Sequence, residues 1–174
     1  MSDWGRTRYG DPCFECGFVW VASIDDAVDV VGSVGDELPA ILEGRTGSER
    51  HPDLAWSVGA YVCHINDNLR IWAERLVAFA LGATEDLASY DNNRLATARA
   101  YDRVPLQGSL WTLGHAVEEW KEAVHAAHAA RVVLPHPDRG PQTVFDVASS
   151  NAHDLYHHRW DIRRSLAAVA NNES

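Results

Sequence analysis

The chain has 174 residues, 46% of them hydrophobic, and carries 15 basic against 25 acidic side chains for a formal charge of −10. That length suits one domain with a real core and is short for two, and the acid excess without a Lys/Arg stripe argues against nucleic acid as a partner. No run reaches about eighteen apolar residues, and Met1-Ser2-Asp3-Trp4-Gly5-Arg6 lacks the regions of a signal peptide, so a cytoplasmic protein without a membrane partner is expected.

Residues 1–22 read as an irregular arm, turned at Asp11-Pro12, whose Phe14, Phe18, Val19, Trp20 and Val21 pack across the domain. Within it Cys13 and Cys16 form a lone CxxC. Three cysteines without an export signal argue against a disulfide framework. Incidental or structural thiols are the main reading, with a metal or redox role as the alternative, and the arm could fold over a pocket.

Ser23-Ile24-Asp25-Asp26 reads as a capping box opening a first helix over 24–43, weakened by Gly32, Gly35 and Pro39. Leu54, Val58, Tyr61, Val62, Ile65, Leu69, Trp72, Leu76 and Phe79 form one stripe, a second helix over 53–81. Residues 83–104 lack a strong period and read as a long crossover, with a short helical possibility near Arg94 to Tyr101. Leu106, Leu110, Leu113, Val117, Trp120, Val124 and Ala127 give a third helix over 105–131, and Leu134 to Pro141 reads as a turn-rich loop. Thr143-Val144-Phe145-Asp146 is a second capping box, opening a fourth helix over 144–170. The pattern predicts an all-α chain, a four-helix bundle whose metal sites would lie between facing helices.

In that last helix His153 and His157 are spaced to reach one ion, and His64 in the second helix is the best third donor. The spacing leaves two readings open. His153, His157, Trp160 and Arg164 lie roughly opposite Val144, Val147, Leu155, Ile162, Leu166 and Val169, so they form either a solvated surface or a pocket-lining second face. Trp160 favours the pocket, because a large indole is usually well buried. His64 falls at the edge of its helix's buried stripe. His158 is about 140° around from His153, and Cys63 about 100° from His64, so neither is expected to close the site. His125, His128 and His115 rank lower, and His51 and His136 lie in loops.

Three stretches then resemble the DinB/YfiT-like superfamily, in particular its actinobacterial-type members: Cys13-Phe14-Glu15-Cys16-Gly17-Phe18, Trp56-Ser57-x-x-x-Tyr61-x-x-His64-x-x-Asp67, and His153-Asp154-x-x-His157-His158-x-x-Asp161-Ile162. The resemblance implies a four-helix bundle with a long crossover between its second and third helices, holding a divalent metal on His64, His153 and His157. Relatives include mycothiol- and bacillithiol-dependent S-transferases and mycothiol-dependent maleylpyruvate isomerase. The isomerase type has a carboxylate where His153 stands.

Three neutral imidazoles leave a tetrahedral ion its full charge and one open position, where a bound thiol would lose its proton. The expectation is therefore a metal-dependent enzyme transferring a mycothiol-like thiol to a small electrophile. The alternatives are a hydrolase or lyase using metal-activated water, and a non-catalytic metal-binding or interaction protein whose site is closed by a fourth ligand. Zinc is the first expectation for the ion, with nickel, iron and copper compatible with imidazole. Arg164 could hold a substrate carboxylate. Asp67 could orient an imidazole or pair at the surface with Arg70. A homodimer is the first expectation for assembly.

Overall fold

The computed structural model describes residues 5–85 and 87–172; positions 1–4 of the expected arm and 86 of the expected crossover lie outside them. The chain runs through α1 (Arg6–Tyr9), α2 (Ile24–Ile41), α3 (Val58–Ala80), α4 (Asn92–Ala98), a 3-10 turn (Tyr101–Arg103), α5 (Leu106–Ala129), β1 (Val133–His136), β2 (Gly140–Thr143) and α6 (Val144–Asn172). The four long helices α2, α3, α5 and α6 form the expected bundle. Both α3 and α2 pack on α5 and on α6, so α2 and α3, consecutive among the long helices, face each other across the diagonal.

The helix starts follow side-chain chemistry. Ser23 Oγ accepts from the Asp26 amide at 3.0 Å, and Thr143 and Asp146 cap each other reciprocally, the Thr143 amide donating to Asp146 Oδ2 at 2.8 Å and the Asp146 amide to Thr143 Oγ1 at 3.2 Å. α3 starts at Val58 rather than 53 because Ser57 is its cap, accepting from the Ala60 amide. α2 runs unbroken through Gly32 and Gly35. A Cβ on Gly35 would come within 2.9 Å of Val117 Cγ2, so that glycine is where α5 approaches closely rather than a weak point.

The core is a continuous apolar cluster in which Leu38, Leu42, Ile65, Leu69, Leu76, Leu113, Trp120, Leu155 and Ile162 are fully buried. Each such side chain contributes roughly 1.5–3 kcal/mol of burial. The crossover contains α4 and the 3-10 turn, which set Ala96 and Tyr101 against Ala60 and Cys63 of α3. The expected loop over 134–141 is instead an antiparallel hairpin, with Pro135 opposite Pro141. Neither proline has an N–H, so they share a pair that exchanges no ladder bonds, and their presence hides the strands from periodicity.

The arm is folded back. Arg6 donates to the Trp20 and Val21 carbonyls, Trp20 Nε1 donates to the Gly10 carbonyl at 2.7 Å, and Phe18 and Trp20 are buried in the main core. No helix among the described residues is long and apolar enough to cross a membrane.

Candidate metal centres

α6 presents two ligand pairs of identical spacing, Asp154 with His158 and His153 with His157. They are offset by one residue, which turns them about 100° apart around the helix axis. The structure sends each pair to a different partner. Ligand atoms of His64, Asp154 and His158 lie within 4.8 Å of one another, as do those of Cys13, Cys16, His153 and His157. Of the expected three histidines, His153 and His157 are thus together, while His64 falls in the neighbouring group. His158 does point away from His153, as expected, but toward His64.

In the first group one Asp154 carboxylate faces both rings, with Oδ2 at 3.4 Å from His64 Nε2 and Oδ1 at 3.5 Å from His158 Nε2. Donor atoms 2.0–2.2 Å from a tetrahedral ion stand about 3.3–3.6 Å apart, so these separations suit a shared cation. His64 is only 2% exposed and its Nε2 has no hydrogen-bond partner, an orphan that a buried imidazole does not normally keep. His64 is at the centre of a buried surface rather than at its edge, because α4, the 3-10 turn and α6 cover the start of α3 on sides the stripe did not count.

Both α6 ligands are oriented from behind. His158 Nδ1 lies 3.1 Å from Asp161 Oδ2, an arrangement that leaves Nε2 as the lone-pair donor. Asn68 Nδ2 donates to Asp154 Oδ2, Asn151 Nδ2 donates to Asn68 Oδ1 at 2.9 Å, and Trp120 Nε1 donates to Asn151 Oδ1 at 2.9 Å. This chain of donors ties the carboxylate to the bundle core. Burial disfavours charge on His158, yet Asp154 and then Asp161 outweigh it and raise the ring to about 9, so an ion bound at Nε2 would have to displace the proton that this nitrogen otherwise holds. Burial also opposes ionised Asp154, and His158 and His64 outweigh it, holding the carboxyl well below its usual range. The protein alone therefore keeps Asp154 anionic, as a ligand must be.

In the second group the arm supplies the thiols. Gly17, at φ 75°, turns the chain after Cys16, its amide donating to the Cys13 carbonyl at 2.9 Å. Both cysteines are unbonded to each other. His153 packs against Tyr9, Phe18 and Trp20, so the arm covers the face of α6 opposite its core stripe. Burial, then His157, pushes His153 down to about 4, and burial, then His158, lowers His157, so both rings are neutral donors at neutral pH. Burial pushes the Cys16 thiol up to about 11, which makes it a poor free nucleophile.

The other expected residues take different roles. Asp67 neither faces an imidazole nor pairs with Arg70; its buried carboxylate accepts from Arg99 and Tyr101. Trp160 stacks edge-on to His157, and Arg164 lies over Trp160 and 3.6 Å from Asp161. Cys63 sits against Ser109 at 3.2 Å. Trp56, by contrast, packs on His64 as well as His158.

Two cavities meet at Asp154. One of about 440 Å³ is lined by Arg8, Arg75 and Arg139 together with Trp72 and Tyr90. The other, about 330 Å³, is lined by Tyr9, Glu15 and Trp20 of the arm with His153, His157 and His158. Asn92, Ser150 and Asp154 border both. The arginines were invisible to motif reasoning, since Arg8, Arg75 and Arg139 come from three distant stretches. Asp154 and His158 did leave a signal, a second i, i+4 pair beside the first.

A family model described as the DinB superfamily matches residues 35–162, beginning after the arm. Among solved structures the chain is similar to YfiT from Bacillus subtilis, a probable metal-dependent hydrolase with an unusual four-helix bundle topology. The two share 19% identity with a TM-score of 0.69, over 84% of this chain and 91% of that one. No curated protein matches the sequence.

Proposed function

This chain belongs to the DinB superfamily, and on that premise we propose that it is a metal-dependent enzyme whose reactive ion is held by His64, Asp154 and His158. The reaction we assign is transfer of a low-molecular-weight thiol to a small anionic electrophile. The observation that carries the reading is the meeting of two cavities at Asp154, one for each reactant. A hydrolase needs room for one substrate and water; a transferase needs two organic molecules side by side.

Two imidazoles and a carboxylate fit a divalent ion such as zinc and leave a position open in a tetrahedral set. When bound, the ion supplies a Lewis acid that lowers the pKa of a thiol or a water molecule. The remaining work falls to the protein. Arg8, Arg75 and Arg139 give the larger cavity a cationic wall that would hold a carboxylate or phosphate on the electrophile. Tyr9 and Trp20 give the smaller cavity an aromatic wall against which an organic thiol would pack. Asn68 and Asp161 fix the two α6 donors, so that little reorganisation accompanies binding.

Hydrolysis is the second reading, supported by a donor set of two histidines and one carboxylate and by the likeness to YfiT, a probable metal-dependent hydrolase. Turnover of a fluorogenic haloalkyl electrophile with and without added thiol separates the two. Product formed only with thiol, and lost with the ion in His64→Ala and Asp154→Asn, is the expected result. Equal turnover in thiol-free buffer would sink the transferase. The three-histidine assignment has its own signature: His153→Ala would then strip the reactive ion, whereas here it leaves that ion in place.

A further inference from the structure

We infer that Cys13, Cys16, His153 and His157 form a second metal site, a closed Cys2His2 zinc centre that pins the N-terminal arm onto α6. Their four ligand atoms already gather within 4.8 Å of one another, from two segments more than a hundred residues apart in the chain. A zinc tetrahedron of two thiolates and two imidazoles has edges of about 3.3–3.8 Å, so only a small contraction completes it. The spacing Cys-x2-Cys followed by His-x3-His is the one such structural sites use.

Two orphaned atoms point to the same place. His153 Nε2 and His157 Nδ1 are buried without hydrogen-bond partners. The opposite nitrogen of His157, Nε2, stands 3.4 Å from Glu15 Oε2 and 3.6 Å from Asp161 Oδ2. Two carboxylates on that side favour the tautomer protonated at Nε2, which leaves the Nδ1 lone pair available to an ion. Cys13 is 3% exposed and His153 7%, so the pair cannot rely on water. Loading displaces two thiol protons, and two thiolates with two neutral imidazoles and a doubly charged cation sum to zero, which burial favours. With four protein donors the centre has no open position, so its role is structural. It holds Tyr9, Glu15 and Trp20 in place as one wall of the smaller cavity.

The site is independent of the reactive ion, and the full-length protein purified from zinc-supplemented medium tests it. Elemental analysis should give two equivalents of zinc per chain, one in Cys13→Ser/Cys16→Ser and one in His64→Ala. After cobalt replacement, a thiolate-to-cobalt charge-transfer band should appear in wild type and His64→Ala and be absent from the double serine variant. Should that variant misfold, the unaltered protein still decides: a disulfide reagent should reach Cys13 and Cys16 only after a chelator is added. Cobalt protein without the charge-transfer band, or both thiols reacting freely in zinc-loaded protein, would overturn the inference. A single equivalent with the band would mean that the reactive site alone had failed, and a single equivalent without it that this one had.

Discussion

Asp154 Oδ2 and His64 Nε2 are 3.4 Å apart, yet the imidazole nitrogen makes no hydrogen bond. A buried imidazole nitrogen left without a partner costs stability unless a third party satisfies it. A cation does so, and the donors behind Asp154 make the carboxylate wait in position for it.

Asn68→Ala should weaken metal binding by about 10–100-fold, the usual consequence of removing a partner that orients a ligand. Titration against a chromophoric chelator measures it. Trp120→Phe breaks the far end of the same donor chain and leaves the Asn68–Asp154 bond intact. It should cost about 1–3 kcal/mol in urea unfolding while affinity barely moves. Equal affinity losses in both variants would mean that the whole chain acts only through stability.

Arg139→Gln should raise KM for an anionic substrate about tenfold while kcat changes little. A hydrogen bond to a charged group contributes about 1.5–3 kcal/mol, and about 1.4 kcal/mol is a factor of ten. Steady-state kinetics with an anionic electrophile and its neutral amide or ester analogue give the readout. An unchanged KM ratio between the two substrates would remove Arg139 from substrate binding.

Tyr101→Phe should lower stability by about 1–3 kcal/mol and leave metal content unchanged, since it withdraws one of the two donors from buried Asp67. Thermal unfolding beside elemental analysis checks both halves. Loss of metal in this variant would return Asp67 to the neighbourhood of the ion.

The Glu37 carboxylate pairs with Arg159 Nη1 at 2.7 Å and with Arg163. Burial works to raise its pKa, but the two guanidiniums outweigh it and hold it below the ordinary 4.5. A folded-state pKa below the unfolded one means that the unfolded chain binds more protons, so the pair stabilises above the ordinary value and is lost as pH falls through the depressed one. Glu37→Gln should therefore cost about 1 kcal/mol or less at neutral pH, discounted because Arg163 is 55% exposed, and nothing in strong acid. Denaturant midpoints of both proteins across that range are the measurement, and a gap that widened toward acid would contradict the assignment.

The bundle was legible because its apolar residues recur at helical spacing over several turns and because Ser23 and Thr143 announce two helix starts. The hairpin was not, since Pro135 and Pro141 break any alternation. The site was half legible. Spacing finds a ligand pair on α6 but does not distinguish His153/His157 from Asp154/His158, because the choice depends on which line of the helix meets α3. That Cys13 and Cys16 join the first pair depends on a long-range fold-back of the arm, which no local pattern encodes.

The clasp of Arg159 and Arg163 around Glu37 has a bearing on more than acid tolerance. Those two arginines repeat at the same interval as the metal-seeking pairs and grip a helix, α2, that donates nothing to either centre. Their grip acts as a detent against axial rolling of α6. Were it to roll by the angle between adjacent residues, one pair would be presented to the other's partners and the second carried away from both, so the alignment of the two clusters is set from the side of the bundle that touches neither.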